Sequence, residues 1–221
     1  MEIGPIFRAL MRNRLGVILI AAQIAFTLTV IVNAVYIIND RGERMARPSG
    51  TDEANLFFIS SIGYGDDYNE AVITAEDLNM IRQLPGVDAA TVINAIPVSG
   101  SGSSTGMSTV AGRIEGVVPT ALYTVDEHAL ATLGLELVAG RDFTATDVAY
   151  RDDSIARTDN EIIITVAMAE ALFPEEGRQA VGRTIYDVNG TASVIIGLVE
   201  RLQTPWPEST FVENSMLIPE V

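Results

Sequence analysis

Two stretches of the chain have the residue types of a serine hydrolase. Residues 102–106 match the G-x-S-x-G pattern, in which the central Ser104 would be the nucleophile. A histidine would have to take its proton, and the only histidine is His128, 24 residues further on, with Asp126 beside it. That spacing is far tighter than the Ser, acid, His order of an α/β hydrolase allows. We therefore interpret residues 99–106 as a flexible Gly/Ser loop and predict that the protein is not an enzyme.

A metal or cofactor site is equally weakly supported by the residue types. The chain has no Cys, which excludes a thiolate nucleophile and a zinc-thiolate centre, and its lone histidine has no second histidine with which to share a metal. The acid pairs at 66–67, 152–153 and 175–176 lack the D-x-[DN]-x-[DN]-G spacing of a calcium loop. The glycines also lack the lysine that a phosphate loop requires. We predict no catalytic residue, no metal site and no bound cofactor.

The charge of the chain limits its partners. The formal net charge is −15 at pH 7. Residues 1–45 hold five of the 14 Arg and three of the 29 acids, so residues 46–221 hold nine Arg and 26 acids, a net charge of −17. Such a potential repels nucleic acid and anionic membrane surfaces. We predict that the protein does not bind nucleic acid.

The first structural element that the sequence predicts is an apolar stretch at 15–38. Its 24 residues include no Asp, Glu, Lys, Arg, His or Pro. At about 1.5 Å per residue, a helix of this length can cross a hydrocarbon core of about 30 Å. A signal peptide cleaved after Ala34 and a buried core helix are alternatives, but the apolar stretch is long for either. We predict a transmembrane helix at 15–38.

The flanks and interior of this helix indicate its surroundings. Residues 1–14 have apolar residues at helical spacing and three Arg, which predicts a short interfacial helix against the lipid bilayer. Inside the span, Gln23 and Asn33 would lack partners in lipid, and Ala21 and Ala25 form a small-xxx-small face. We therefore expect other transmembrane helices to pack against it. Three Arg flank each end of the helix, so the distribution of positive charge does not decide which end is cytoplasmic. We expect the acidic remainder of the chain to be exported.

Residues 39–54 are polar and contain Gly42, Pro48 and Gly50, which predicts a linker. An extracytoplasmic domain at 55–221 follows. Its first part predicts a β-α-β unit with a strand at 55–62, a helix from Thr74 to Leu84 and a strand at 87–96. Residues 144–160 are polar and predict a surface excursion. The remaining predicted elements are one or two strands within 107–123, a helix capped by Asp126 and closed by Gly134, strands at 135–139 and 161–165, a helix at 166–173, a hairpin of strands 184–188 and 192–200 around Asn189-Gly190, and a strand at 216–218.

The order of motifs resembles the periplasmic core domain of the MacB/FtsX-like ABC transporter permeases. The resemblance rests on Leu133-Gly134-Leu135, on Ala139-Gly140-Arg141-Asp142-Phe143, on the segment 167–173, on Val181-Gly182-Arg183 and on 194–199. The N-terminal residues 7–32 and the LPGVDAAT segment at 84–91 also fit. It implies an α+β fold: one N-terminal transmembrane helix, then a mixed α/β extracytoplasmic domain built from β-α-β units.

The resemblance also implies a function. Members of this family work as dimers with a separate or fused ATPase, whose closure moves transmembrane helices and reshapes the domain outside. We therefore expect the N-terminal part of a longer permease subunit, in the cell inner membrane with its N-terminus cytoplasmic and the residues after about 39 periplasmic. Its expected partners are an ABC ATPase subunit, a second permease subunit in a homo- or heterodimer, and the lipid bilayer. The alternative is a membrane-anchored sensor or adaptor whose acidic domain binds a cationic ligand or protein partner.

Overall fold

The computed structural model describes residues 14–61, 63, 69–149 and 160–221. The predicted interfacial helix at 1–14 lies outside these residues except for Arg14, as does most of the predicted surface excursion at 144–160. The chain divides into two compact units, Met1–Arg47 and Pro48–Val221.

The first unit is helix α1, Arg14–Met45, and none of its 32 residues is buried. It is the one helix of the described chain that is long and apolar enough to cross a membrane. The Thr27 and Thr29 hydroxyls donate to the carbonyl oxygens of Gln23 and Ala25, one turn earlier, so both are satisfied within the helix. The ends of the membrane-spanning part within α1 stay a prediction.

The predicted linker at 39–54 is not one irregular segment. Its first seven residues continue α1 to Met45, and an ion pair of 3.0 Å between Arg44 Nε and Asp40 Oδ2 joins consecutive turns there. Polar composition suggested a loop, yet charged residues at i and i+4 also favour a solvated helix. The rest of the predicted linker, from Pro48 onward, belongs to the second unit.

The described residues of the second unit form a seven-stranded sheet with three short α-helices. Its elements are α2 (Glu70–Arg82), β1 (Ser103–Ser108), β2 (Val118–Val125), α3 (Ala129–Leu133), β3 (Leu137–Gly140), β4 (Asn160–Thr165), α4 (Val166–Leu172), a 3₁₀ turn (Gly177–Gln179), β5 (Thr184–Asp187), β6 (Ala192–Val199) and β7 (Ser215–Pro219). From α3 onward these match the predicted elements within one or two residues at most ends. The fold is therefore a mixed α/β domain that follows an apolar helix.

The strands are ordered β3-β6-β4-β7-β2-β1-β5, and β5 also pairs with β6. Six strands therefore close into a ring, and β3 is attached to β6 outside it. Strands β4 and β6 run parallel, and the connection between them contains α4, the 3₁₀ turn and β5. The β5-β6 hairpin is antiparallel around Asn189-Gly190, as its sequence predicts.

Two apolar clusters occupy the two faces of the sheet, because successive side chains of a strand point to opposite faces. In β4, Ile163 belongs to the cluster with α3, whereas Ile162 and Ile164 belong to the cluster with α4. All three isoleucines are fully buried. Burial on both faces explains why the centre of β4 is a run of three consecutive apolar residues rather than an alternating pattern.

The predicted β-α-β unit at 55–96 is wrong in both of its strands. Residues 55–61 form no strand, and in 87–96 only Ile93 forms a bridge, to Val125. The helix between them exists, but it begins at Glu70 because the Asn69 side chain accepts a hydrogen bond from Val72 N–H. The runs have strand composition, but composition alone does not form a strand, and apart from the Ile93 bridge neither run pairs with a described strand.

Candidate functional site

The second unit begins with an anchoring segment, residues 48–55, that is hydrogen-bonded to the sheet domain. The backbone N–H of Gln203 donates to the Ser49 carbonyl at 2.8 Å, and its side-chain Nε2 donates to the Pro48 carbonyl at 2.9 Å. Further on, Asp52 N–H donates to the Leu133 carbonyl at 3.0 Å. Three bonds within five residues therefore fix the first part of the domain to the 201–204 loop and the end of α3.

Gly50 makes this anchoring possible. Its φ is +93°, and a Cβ added to it would lie 2.2 Å from the carbonyl oxygen of Arg201. No L side chain fits at that distance, and the backbone conformation itself strains any residue other than glycine. The anchoring segment therefore touches the 201–204 loop backbone to backbone.

The loop that receives the anchoring segment is itself fixed to the core. The Tyr123 hydroxyl donates to the Gln203 carbonyl at 2.7 Å, and the Ser215 hydroxyl donates to the Leu202 carbonyl at 2.8 Å. Tyr123 is fully buried in β2, and this burial raises the pKa of its phenol well above the ordinary value, so it stays a neutral donor. Displacement of the anchoring segment would thus act directly on β2 and β7.

A second polar cluster lies where α2 ends. Arg82 Nη2 lies 2.6 Å from Asp126 Oδ2, and Arg82 Nε and Nη2 both donate to the Ala90 carbonyl, at 2.9 and 2.7 Å. The other oxygen of Asp126 accepts from the Thr91 hydroxyl at 2.5 Å and from His128 N–H at 3.0 Å. Asp126 is only 6% exposed, so its charge is paired and hydrogen-bonded on both sides. We call this cluster the Arg82 joint.

An apolar groove of about 420 Å³ lies beside the Arg82 joint. Residues 55–61, α2 and residues 87–97 form most of its walls. Phe57, Phe58 and Ile59 are each about two-thirds exposed, which is unusual for three consecutive large apolar residues. Within the described part of the chain, residues 56–61 pair with no strand and make no backbone hydrogen bond. Within these residues, Leu56 packs against the core cluster that includes Leu133, so side-chain packing joins the segment to the domain.

A third cluster joins the turn after β3 to the start of β4. Arg141 forms ion pairs with Asp147, at 2.6 Å, and with Glu161. Thr144 N–H donates to the same Asp147 carboxylate at 2.8 Å. Hydrogen bonding from Arg141, followed by the Thr144 bonds, holds the pKa of Asp147 well below its usual range despite some desolvation. Asp147 is therefore ionised, and its carboxylate stabilises this turn.

The structure does not bring Ser104, His128 and Asp126 together as a hydrolase triad would require. Ser104 is exposed in β1, opposite Ala121 of β2. His128 lies at the N-terminus of α3, with its ring 3.6 Å from Glu127, while both oxygens of Asp126 are used by the Arg82 joint and by backbone. No hydrogen bond joins Ser104 to His128 among the described residues.

The described residues also contain no group of His, Asp and Glu suited to a metal ion. The acid pairs at 66–67 and 152–153 lie outside the described ranges, and Glu176 of the third pair accepts from Arg183 Nη2 at 2.8 Å. The absence of catalytic, metal and cofactor sites stays a prediction.

Sequence analysis did not find the Arg82 joint, because its charged partners lie 44 residues apart and share no motif.

Comparisons with known proteins identify the family. The model of the MacB-like periplasmic core domain matches residues 15–219. The extracellular domain of the noncanonic ABC-type transporter YknZ from Gram-positive bacteria is 21% identical with a TM-score of 0.41, over 65% of this chain and 60% of that one. The periplasmic region of MacB from Actinobacillus actinomycetemcomitans is 19% identical with a TM-score of 0.43, over 66% of this chain and 54% of that one. The chain thus spans little more than half the length of these structures.

A comparison with curated protein sequences gives no match. The family model nevertheless covers nearly the whole chain, from the start of the apolar helix to the last strand. The predicted family and the predicted fold class are thereby confirmed. The chain belongs to the MacB-like periplasmic core domain family of ABC transporter permeases.

Proposed function

We propose that this chain is the N-terminal part of a non-catalytic ABC transporter permease subunit that transmits movement from the membrane to a periplasmic domain. In this proposal a separate ABC ATPase hydrolyses ATP, and the resulting displacement of α1 reshapes the domain during export or extraction of a substrate. The observation that carries it is the anchoring segment, because it gives a displacement a short route into the core of the domain.

The route consists of few residues. Helix α1 ends at Met45, and the hydrogen-bonded anchoring segment begins at Pro48. Between them, Ala46 and Arg47 donate their backbone N–H groups to Gly42 and Arg44, so this junction is also a hydrogen-bonded turn. A flexible linker of 16 residues, as the composition of 39–54 predicts, would absorb a displacement of a few Å, whereas only two residues lie between the end of α1 and the first residue of the anchoring segment.

The polar residues of α1 support partners within the membrane. Among the described residues, neither the Gln23 nor the Asn33 side-chain amide has a hydrogen-bond partner, and both lie in the apolar span. Lipid cannot satisfy an amide, so each is placed to bond another transmembrane helix. We propose that these helices belong to the rest of the permease and to a second permease subunit. The protein then resides in the cell inner membrane with its N-terminus cytoplasmic.

A glycine insertion tests the mechanical part of the proposal. Four Gly inserted after Asn39 interrupt α1 at the membrane exit, since Gly costs about 1 kcal/mol per position in a helix. Four Gly inserted after Gly112 provide the control, because no atom lies within 4 Å of the position that a Cβ would take there. In the complete permease with its ATPase, we expect the first insertion to abolish transport while ATP hydrolysis continues, and the second to leave both intact. Unchanged transport after the first insertion would refute mechanical coupling.

A second candidate function is a membrane-anchored sensor or adaptor that binds a cationic ligand or partner. The apolar groove favours it, because Asp77 lies in the groove wall and residues 48–97 carry eight acids against one Arg. Purification with bound partners distinguishes the two candidates. A permease subunit co-purifies with an ABC ATPase, whereas a sensor co-purifies with a signalling protein and no ATPase.

A further inference from the structure

Helix α2 has little packing to hold it in place. Every described side chain of its 13 residues is exposed or half-buried, with Val72 and Met80 more than half exposed. Isolated helices shorter than about 12–15 residues are marginal in water, so tertiary contacts must supply the stability of α2. The attachments of this helix therefore decide whether it stays in place.

The Arg82 joint is the strongest of these attachments. Arg82 is the last residue of α2, and its guanidinium binds Asp126 and the Ala90 carbonyl through three contacts of 2.6–2.9 Å. Asp126 directly follows β2 and is held by Thr91 and by the first turn of α3. The joint thus connects the C-terminal end of a loosely packed helix to the end of β2 and the start of α3. Hydrogen bonds between such charged groups are about twice as strong as neutral ones.

The Pro85-Gly86 turn that follows α2 is the place where the helix can pivot. The turn is closed by the Val87 N–H, which donates to the Leu84 carbonyl at 3.2 Å. Gly86 has a φ of +88° there, with no atom within 4 Å of where a Cβ would lie. Before the helix, residues 56–61 make no backbone hydrogen bond to the described part of the chain. Leu78 and Ile81 of α2 line the apolar groove. Movement of α2 away from residues 87–97 would therefore open the groove.

From this geometry we propose that α2 is a flap over the apolar groove, latched by the Arg82–Asp126 ion pair and hinged at Pro85-Gly86. When the latch opens, α2 separates from residues 87–97 and the groove widens. The released helix, which is marginal on its own, then loses its internal hydrogen bonds, while the sheet stays folded. The proposed flap depends only on contacts within the domain, so its test does not depend on the transport function proposed above.

Hydrogen exchange on the full chain in detergent tests the flap. Arg82→Met keeps the apolar stem of the side chain and removes its charge. We expect exchange in 70–82 to rise at least tenfold, with β4 and β6 unchanged, and fluorescence of the apolar dye bis-ANS to rise as the groove opens. Arg178→Met is the matched control, because Arg178 also forms an ion pair, 2.7 Å from Glu200, but on the exposed surface. It should change neither measurement.

Two results overturn the proposal. One is unchanged exchange in 70–82 in the Arg82→Met variant, and the other is a rise shared equally by β4 and β6, which would mean general loss of stability. If Arg82→Met does not fold, the wild-type chain decides the question. Its α2 amides must then open with a far lower free energy than those of β4, and equal opening free energies overturn the flap.

Discussion

Gly50→Ala is the sharpest single test of the anchoring segment. The substitution places a methyl carbon 2.2 Å from the Arg201 carbonyl oxygen and 2.6 Å from its carbonyl carbon, at a φ of +93°. Real Cβ atoms do not approach backbone so closely, so the segment must shift away from the 201–204 loop. That shift disrupts the bonds from Gln203 to the Ser49 and Pro48 carbonyls.

The size of the effect follows from these contacts. Holding a non-glycine residue at this φ costs on the order of 1–3 kcal/mol, and each hydrogen bond contributes about 0.5–1.5 kcal/mol. Release of the segment relieves the strain, so the loss cannot greatly exceed the value of the lost contacts. We therefore expect Gly50→Ala to lower the free energy of unfolding by about 2–3 kcal/mol.

Denaturant unfolding of the full chain in mild detergent measures this loss. Trp206 is the only tryptophan, and it packs against the core cluster that includes Tyr123 and Leu202, so its fluorescence reports on the domain. Gly112→Ala is the matched control, since Gly112 has a φ of +70° but no atom within 4 Å of where a Cβ would lie. It should cost only about 1 kcal/mol from strain. Equal losses in the two variants would refute the claim that the anchoring segment is fixed by close backbone contact.

Two further predictions concern the Arg141 cluster and α1. The pKa of Asp147 is lowered in the folded state, so its contribution to stability is complete above its unfolded pKa of about 3.9 and is lost as the pH falls toward the folded pKa. Unfolding between pH 5 and pH 2.5 should therefore show a flatter pH dependence for Asp147→Asn than for wild type, and Asp88→Asn, on the exposed surface, should match wild type. In α1, Asn33→Leu should weaken assembly of the complete permease about 3- to 30-fold, as expected for losing one interhelical hydrogen bond of about 0.6–2 kcal/mol. Cross-linking in membranes measures this, with Val30→Leu as control, and undiminished assembly would mean that Asn33 contacts no partner helix.

Several features of this protein could be predicted from local sequence because their causes are local. The apolar run at 15–38 is sufficient for a helix that can span a membrane. The Asn189-Gly190 pair sets the β5-β6 hairpin, and Gly134 ends α3 in a left-handed conformation with a φ of +67°. The apolar residues at 162–164 also predict a strand at 161–165, which the structure has as β4. In each case the signal lies within a few residues of the element it specifies.

Other features depend on which distant segments meet, and only the tertiary structure decided them. Residues 55–61 have the composition of a strand, but they pair with no strand among the described residues, and such pairing depends on segments that are distant in the sequence. Arg82 and Asp126 acquire their role only where the end of α2 reaches the end of β2, which no local spacing encodes. In the sequence Gly50 is an ordinary linker glycine, and only the folded structure shows that the 201–204 loop packs against it. Composition and periodicity therefore determined the membrane helix and the local strands and helices, whereas long-range packing decided the anchoring segment, the Arg82 joint and the groove.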